Sequence, residues 1–361
     1  MMRISIVYAN RNRDLKRIKA SFDSLKNQTE DDFRVIFVDY GSKEPLVYGL
    51  KELCNNYKFV APYFLPVSQL LWNKSKALNY GILQAQTPYI FIADVDLVFH
   101  PDTIQFFNKI AVENNFFLFN LRYLDRAESQ KLTKSYNFED LRPDRFGQVN
   151  GMILTSTKAF LEVNGLDEFF HFYGSEDEDL FGRIEKAGYI RVSRNEPYFF
   201  HNWHKSFAGS EDKIFTGNHR IKNIMRINQR HFIRNRERDI IKPNRQCGMG
   251  EVINELESDL LHKPTQIFKI YNILAHVEHF LREELPSITG EIIKVDFIED
   301  PYFHTLKHKL KKKLGKQTQP YISMKEVNDM LLKEILFNYR DSNYSFGISE
   351  DFKKITFVLV Q

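Results

Sequence analysis

Two aspartates stand one residue apart in FIADVDLVF, residues 91–99, directly after the apolar run PYIFIA. Asp94 and Asp96 cannot end a buried strand cheaply unless they are paired, hydrogen-bonded or bound to a metal. Carboxylate oxygens suit Mg2+ or Mn2+, ions that usually bind through one or two carboxylates together with substrate phosphates. A cation held there would neutralise a departing diphosphate. The plain alternative is a solvated turn with an aspartate as helix cap. His201 and His204, in PYFFHNWHKSF, sit just past another aromatic run. They are either structural histidines or softer metal ligands, and imidazole would favour Mn2+ over Mg2+.

A third group lies in NGLDEFFHFYGSEDEDLFGRIEKAGY, residues 164–189. Ser175 followed by Glu178 fits a capping box. Leu180, Phe181, Ile184 and Ala187 form an apolar helical stripe that Gly188 should terminate. Glu176, Asp177, Glu178 and Asp179 therefore crowd one first turn. The helix dipole would stabilise each acid there by ~0.3–1 kcal/mol. Yet one or two acids would suffice for capping, four repel one another, and the aromatic-glycine loop before them suits a pocket wall. Taken alone, the cluster fits both readings.

The elements that must carry these groups follow a strand-helix rhythm. ISIVY (4–8) and RVIFVD (34–39) read as buried strands, with Leu15, Ile18, Phe22 and Leu25 at helical spacing between them. The second strand ends in Asp39-Tyr40-Gly41-Ser42, which is turn chemistry. FVAPYFLPV holds two prolines and is at best an edge strand. NKSKALNYGILQAQ (73–86) reads as a helix with Ala77, Leu78, Ile82 and Ala85 inward. PYIFIA then forms the strand that feeds the two aspartates. Such alternation implies an α/β fold, a largely parallel sheet covered by helices, whose ligands bind beyond the carboxyl ends of the strands. Asp39 and the Asp94/Asp96 pair could then face one pocket. FFLFNL (116–121) and NGMILTS (150–156) are further strands, flanking a polar loop, roughly 122–148.

Composition excludes several classes. With 43% hydrophobic and 27% charged residues, the 361-residue chain is neither fibrous nor broadly disordered. The formal net charge of +4, from 51 basic and 47 acidic side chains, does not by itself argue for nucleic acid. Cys54 and Cys247 are the only cysteines, so no disulfide framework forms and a reducing compartment is expected. No apolar run reaches the ~18 residues of a membrane span, and the start has no secretory h-region. A cytoplasmic protein is the expectation. The 32 phenylalanines imply a substantial core or stacking surfaces.

Taken in order, SIVYANRNR, FVDYGS, NKSKALNYGI, IADVDLVF, NGMILTSTKAFLEVNGLDE, YGSEDEDLFGRIEKAGY and FFHNWHK resemble the inverting nucleotide-sugar glycosyltransferases of the GT-A fold. The similarity is strongest to the β1,4-galactosyltransferase branch and to bacterial chondroitin-polymerase-like capsule enzymes, and it covers roughly residues 3–210. It implies a Rossmann-like, mostly parallel central sheet with flanking helices, and a metal-dependent hexosyltransferase moving a hexose or N-acetylhexosamine from a UDP-sugar to a saccharide acceptor. By that resemblance Asn10, Arg11 and Arg13 approach the nucleotide and its phosphates, and Asp39 the uracil or ribose. Lys76 and Asn79 approach the donor from their helix. Asp96 ligates Mn2+ (or Mg2+), with Asp94 nearer the ribose and an alternative ligand. Gly151 lies beside the donor sugar, with Asn150 where the family has the first of two glycines. Tyr173 stacks on sugars, Asp177 is the catalytic base, and Glu176 orients the acceptor. His201 matches the metal-ligating histidine, with His204 as the alternative. Ser175 replaces a common glycine. The secretory anchor of the animal enzymes is absent, which points to a bacterial-type enzyme of surface polysaccharide or glycoconjugate synthesis. A sugar-nucleotide hydrolase or nucleotidyltransferase using the same metal is the runner-up. The non-enzyme alternative is a carbohydrate- or nucleotide-binding protein with a degenerate site.

The motifs divide the chain into a catalytic domain, 1–220, and a C-terminal accessory region, 221–361, expected to be mostly helical with some strands. IKNIMRINQRHFIRNRERDIIK (221–242), QIFKIYNILAHVEHFLREEL (266–285) and MKEVNDMLLKEILFNY (324–339) read as helices, while IIKVDFI and KITFVLV could be strands. LKHKLKKKLGKQ (306–317) is a basic run. It is either a solvated helix face or a contact with an anionic membrane surface, peripheral at the inner face.

Overall fold

The structure, a computed structural model, describes residues 3–132, 138–147, 151–204, 214–217, 219–243 and 248–361. Asn150, Cys247 and part of the 122–148 loop lie outside the described residues. The chain divides into two compact units. The first comprises Met1–Ser68, Trp72–Ser206 and Met225–Val252, and the second Gln69–Leu71, Phe207–Ile224 and Ile253–Gln361.

The first unit is built on strands β1 (Ile4–Asn10), β2 (Phe33–Tyr40), β3 (Val60–Leu65), β4 (Tyr89–Ala93), β5 (Leu97–Phe99), β6 (Asn115–Phe119), β7 (Leu121–Tyr123), β8 (Arg145–Gly147), β9 (Ile153–Ser156), β10 (Ile190–Arg194) and β11 (Phe199–His201). Seven of them form one sheet in the order β10-β6-β9-β4-β1-β2-β3. Neighbours run parallel except at β9, which is antiparallel to β4 and β6. β1 and β2 are apolar on both faces, as burial under two helical layers requires. The proline-bearing β3 takes the edge, where Pro62 leaves no ladder bond broken. A smaller sheet runs β5-β11-β7-β8.

Helices α1 (Leu15–Lys26) and α3 (Lys74–Gln84) lie where the sequence places them, and α2 (Glu44–Asn55) and α4 (Thr103–Ile110) join them. Asp14 caps α1 by accepting from the Arg17 amide, and Asn73 caps α3 through Lys76. The phenylalanines fill the core between the two sheets. Phe91 lies 4.7 Å from Phe107 and 5.4 Å from Phe199, ring centre to ring centre. Besides the short helices Arg126–Lys131 and Thr157–Glu162, the unit holds α5 (Glu176–Lys186) and α6 (Ile224–Glu237).

The second unit holds a mixed sheet of β12 (Gln266–Tyr271), β13 (Ile292–Ile298), β14 (Tyr344–Ile348) and β15 (Lys354–Val360), in the order β12-β13-β15-β14. The helix expected over 266–285 begins instead as β12. Ile267, Lys269 and Tyr271 alternate outward along it, a period of two that only a strand satisfies. The 266–285 segment turns helical at Leu274–His279. The unit also holds helix Glu255–Leu260, helix α7 (Leu306–Lys313) and helix α8 (Met324–Glu334), α8 burying Val327, Leu331 and Leu332.

Gly41 closes the turn after β2 with φ +70, and a Cβ there would lie 2.4 Å from the Ser68 backbone nitrogen. Left-handed strain of roughly 1–2 kcal/mol and overpacking of about 1–3 kcal/mol should therefore both penalise Gly41→Ala. Gly182 in α5 has open space around it, so Gly182→Ala should be neutral or stabilising by up to about 1 kcal/mol. Urea denaturation of the two variants should move in opposite directions.

Candidate active site

Parallel strands deliver their carboxyl ends to one rim. β1 and β2 pair Asn10 with Asp39 in register, and the Asn10 amide donates to Asp39 Oδ1 at 2.6 Å. Ser42 donates to the same carboxylate through its backbone N–H at 2.9 Å and its hydroxyl at 2.6 Å. Burial pushes the Asp39 pKa up, against the pull of these bonds and of Arg11. Arg11 donates to the Ser68 carbonyl at 2.8 Å and lies 6.0 Å above the Tyr40 ring.

The antiparallel register of β5 with β11 sets His201 opposite Leu97, next to Asp96. His204 Nε2 lies 3.1 Å from Asp96 Oδ2, and His201 Nε2 lies 3.6 Å from Oδ1. One ligand atom from each of the three falls within 4.8 Å of the others. Asp96 Oδ1 is buried without a hydrogen-bond partner among the described residues. Burial raises the Asp96 pKa, but His204, His201 and Arg13 outweigh it and hold the carboxyl well below its usual range. Burial also lowers the His201 pKa, favouring the neutral imidazole that a metal requires. An orphaned carboxylate oxygen beside two imidazoles fits a divalent cation. Both histidines thus join Asp96, and Asp94 does not.

Asp94 instead accepts from Lys74 Nζ at 2.7 Å. Burial would lower the Lys74 pKa, yet Asp94, Glu176 and Asp177 together raise it. Burial also raises the Glu176 pKa, Lys74 counteracting it and Asp177 adding to it. Gly151, at φ +71, passes close by: a Cβ there would lie 3.8 Å from Asp177 Oδ2 and 3.9 Å from Lys74 Nζ. Tyr173 is exposed at the same place. The sequence therefore brings together Asp94, Gly151, Tyr173, Glu176 and Asp177, and the structure adds Lys74.

Lys76 and Asn79 do not reach this rim. Lys76 is buried 3.5 Å from Glu168, and Asn79 bonds Leu166 and the Glu168 carboxylate at 2.7–2.9 Å. Two residues turn a helix by roughly 200°, so Lys74 on the rim sends Lys76 underneath. The missed signal is position: Lys74 directly follows the cap Asn73, at the helix end nearest the strand termini.

The expected capping box is also absent. Ser175 sits at φ +70 and makes no side-chain cap bond. Glu176 accepts from the Gly174 N–H at 3.0 Å, and Asp177 from the Glu178 N–H at 2.9 Å. Asp177 thus satisfies a first-turn N–H of its own helix, while Glu176 fastens the loop before it.

Residues 5–169 match the model of glycosyl transferase family 2. Residues 135–205 match the model described as the N-terminal domain of galactosyltransferase. Together with the mostly parallel sheet, these matches support a glycosyltransferase of the GT-A fold. A glycosyltransferase of Rickettsia bellii (strain RML369-C), described as uncharacterized, is 30% identical over 117 residues, 32% of this chain and 16% of that protein. The mannosyltransferase PcManGT from Pyrobaculum calidifontis, in complex with GDP-Man and Mn2+, aligns with TM-score 0.42 and 13% identity over 57% of this chain and 58% of its own. S. aureus TarS, in complex with UDP-GlcNAc, aligns with TM-score 0.41 and 14% identity over 60% and 62%. The chain thus spans less than two thirds of each of these relatives.

Within the first unit, a buried polar network fixes the acidic helix. Asp167 accepts from His231 at 2.8 Å, Asn235 at 3.0 Å and the Phe169 N–H at 3.0 Å. Asn235 also donates to Asp179 at 2.9 Å, and Asp179 pairs with Arg183 at 2.7 Å. Asn228 donates to the carbonyls of His171 and Tyr173, both at 3.0 Å. Helix α6 thereby holds both the loop and α5. Phe172 and Ser175 keep positive φ within this loop, a strain that only such surroundings sustain.

Burial raises the Asp167 pKa, but His231 and the Phe169 N–H overcome it, taking it from 3.8 to about 2. A folded-state pKa below the unfolded one adds stability above pH ~4, which is lost as the pH falls towards about 2. Asp167→Asn should therefore cost about 2 kcal/mol at pH 7. In urea titrations the gap to wild type should hold from pH 7 to ~5 and narrow below ~4. A gap unchanged at the lowest pH would assign the loss to packing alone.

Proposed function

We propose that the chain is an inverting, metal-dependent hexosyltransferase of the β1,4-galactosyltransferase and chondroitin-polymerase-like branch. It would move a hexose or N-acetylhexosamine from a UDP-sugar to a saccharide acceptor in surface polysaccharide or glycoconjugate synthesis. One observation carries the reading. The Asp96–His201–His204 cluster follows the strand whose end places Asp94 on Lys74, and Lys74 and Asp177 both lie within 4 Å of the Cβ position of Gly151.

Each group then has a task. Asp96, His201 and His204 would hold Mn2+ (Mg2+ being the harder alternative), which when bound neutralises charge on a diphosphate leaving group. Asn10 and Asp39 form the rigid floor that receives the uridine, with Arg11 and Arg13 towards the phosphates. Gly151 leaves room for the donor sugar beside Asp177 and Lys74, at a left-handed φ that glycine enters freely. Tyr173 and Glu176 receive the acceptor. Asp177 accepts the acceptor hydroxyl proton as that oxygen bonds the anomeric carbon from the face opposite the breaking bond to the diphosphate.

EDTA should abolish transfer, and Asp96→Ala should weaken UDP binding measured by calorimetry with Mn2+ present. Full activity in EDTA would refute the metal assignment.

Asp177→Asn keeps size and hydrogen bonding but cannot take the proton. Its transfer rate should fall ~10²–10⁴-fold, with UDP affinity and melting temperature nearly unchanged. Glu178→Gln, one residue along in the same first turn, should retain most activity. A near wild-type rate for Asp177→Asn would leave the acids as a helix cap only. UDP-sugar turnover that ignores the acceptor would point to a hydrolase instead.

A further inference from the structure

Helix α7 of the second unit has two unlike faces. His308 is buried, its ring set 5.2 Å from Tyr321 and 5.7 Å from both Tyr302 and Phe303. On the other side Leu306, Leu310 and Leu314 are 76%, 58% and 68% exposed. The Leu314 N–H donates to the Leu310 carbonyl at 2.9 Å, so the helical path continues to the third leucine. At about 100° per residue the three leucines form a stripe about 80° wide, centred roughly 160° from His308. Lys309 and Lys313 flank it on one side and Lys307 on the other, all exposed. Residues 306–316 contain lysine at 307, 309, 311, 312, 313 and 316, with no acid and no arginine.

The buried face already fastens the helix, so the leucines contribute nothing to this unit's core. An apolar stripe rimmed by charge marks an interaction surface. We propose that α7 lies flat on an anionic lipid surface, its leucines entering the boundary between headgroups and acyl chains and its lysines reaching the phosphates. Lysines on both sides of the stripe can extend their charges upward while their stems lie along the apolar layer. Point charges without arginine suit a diffuse field of lipid phosphates better than the fixed carboxylates of an acidic protein, which planar guanidinium groups recognise in pairs. Among the described residues no helix is long and apolar enough to cross a membrane. The contact is peripheral and, over so short a helix, reversible. It stands independently of the transfer chemistry.

Co-sedimentation of the full chain with vesicles tests this. The protein should pellet with phosphatidylcholine vesicles containing one third phosphatidylglycerol, stay in solution with pure phosphatidylcholine, and be released by high salt. Leu310→Ser with Leu314→Ser should weaken partitioning about tenfold per leucine. Lys307→Gln, Lys309→Gln and Lys313→Gln should each weaken it about fivefold. Because these side chains are exposed, melting temperatures should stay at the wild-type value. Equal binding to neutral vesicles, or a leucine double variant that pellets like wild type, would overturn the proposal. So would a concentration-dependent dimer in sedimentation velocity that the leucine changes dissolve, since the stripe would then be covered by a second copy.

Discussion

The ammonium of Lys74 is what allows three carboxylates, Asp94, Glu176 and Asp177, to share one rim. Strand ends and a helix first turn deliver these acids from separate parts of the chain, and like charges brought together in a partly desolvated place repel strongly. One cation, half-buried and fixed by its place after the cap of α3, answers all three. Around it the remaining geometry falls into line: Gly151 takes a left-handed φ beside it, Glu176 turns back to the Gly174 amide, and Asp96 is left to the two histidines. The rim thus separates into a carboxylate–lysine half and a carboxylate–imidazole half, and among the described residues the second gathers a carboxylate and two imidazoles within 4.8 Å.

Polar contacts add direction to the packing of Phe169 and Phe170 on His231 in placing the acidic loop. Glu168 receives Asn79 and the Gly250 N–H, Asp167 receives His231 and Asn235, and Asn228 takes two loop carbonyls. Each bond is directional, so the loop has one arrangement in which all are made. An apolar interface of the same area would tolerate sliding, and a proton acceptor displaced by even an ångström loses much of its effect.

Much of this was legible in the sequence because strand ends carry local signals. The βαβ rhythm, the helix after Asn73 and the acids at the ends of β2 and β4 all follow from periodicity and turn chemistry. Other features depend on phase or on distant partners. Lys76 and Lys74 differ only in which way the first helical turn faces, which the cap decides. Residues 224–237 read as a basic helix, and nothing local tells that Asn228, His231 and Asn235 are its working side. Residues 266–271 fit a helix or a strand over so few positions, and pairing with β13 decides for the strand.

Ser175 shows how far the surroundings overrule the residue. It occupies a backbone region that glycine enters freely and serine enters at a cost, yet the bonds on either side leave it no other course. The loop's path is therefore a property of its anchors, which hold even a serine in a conformation it would not choose. The start of the acidic helix is thus decided outside it, by the asparagines and acids that fasten the loop, and not by the preference of the residue at its cap.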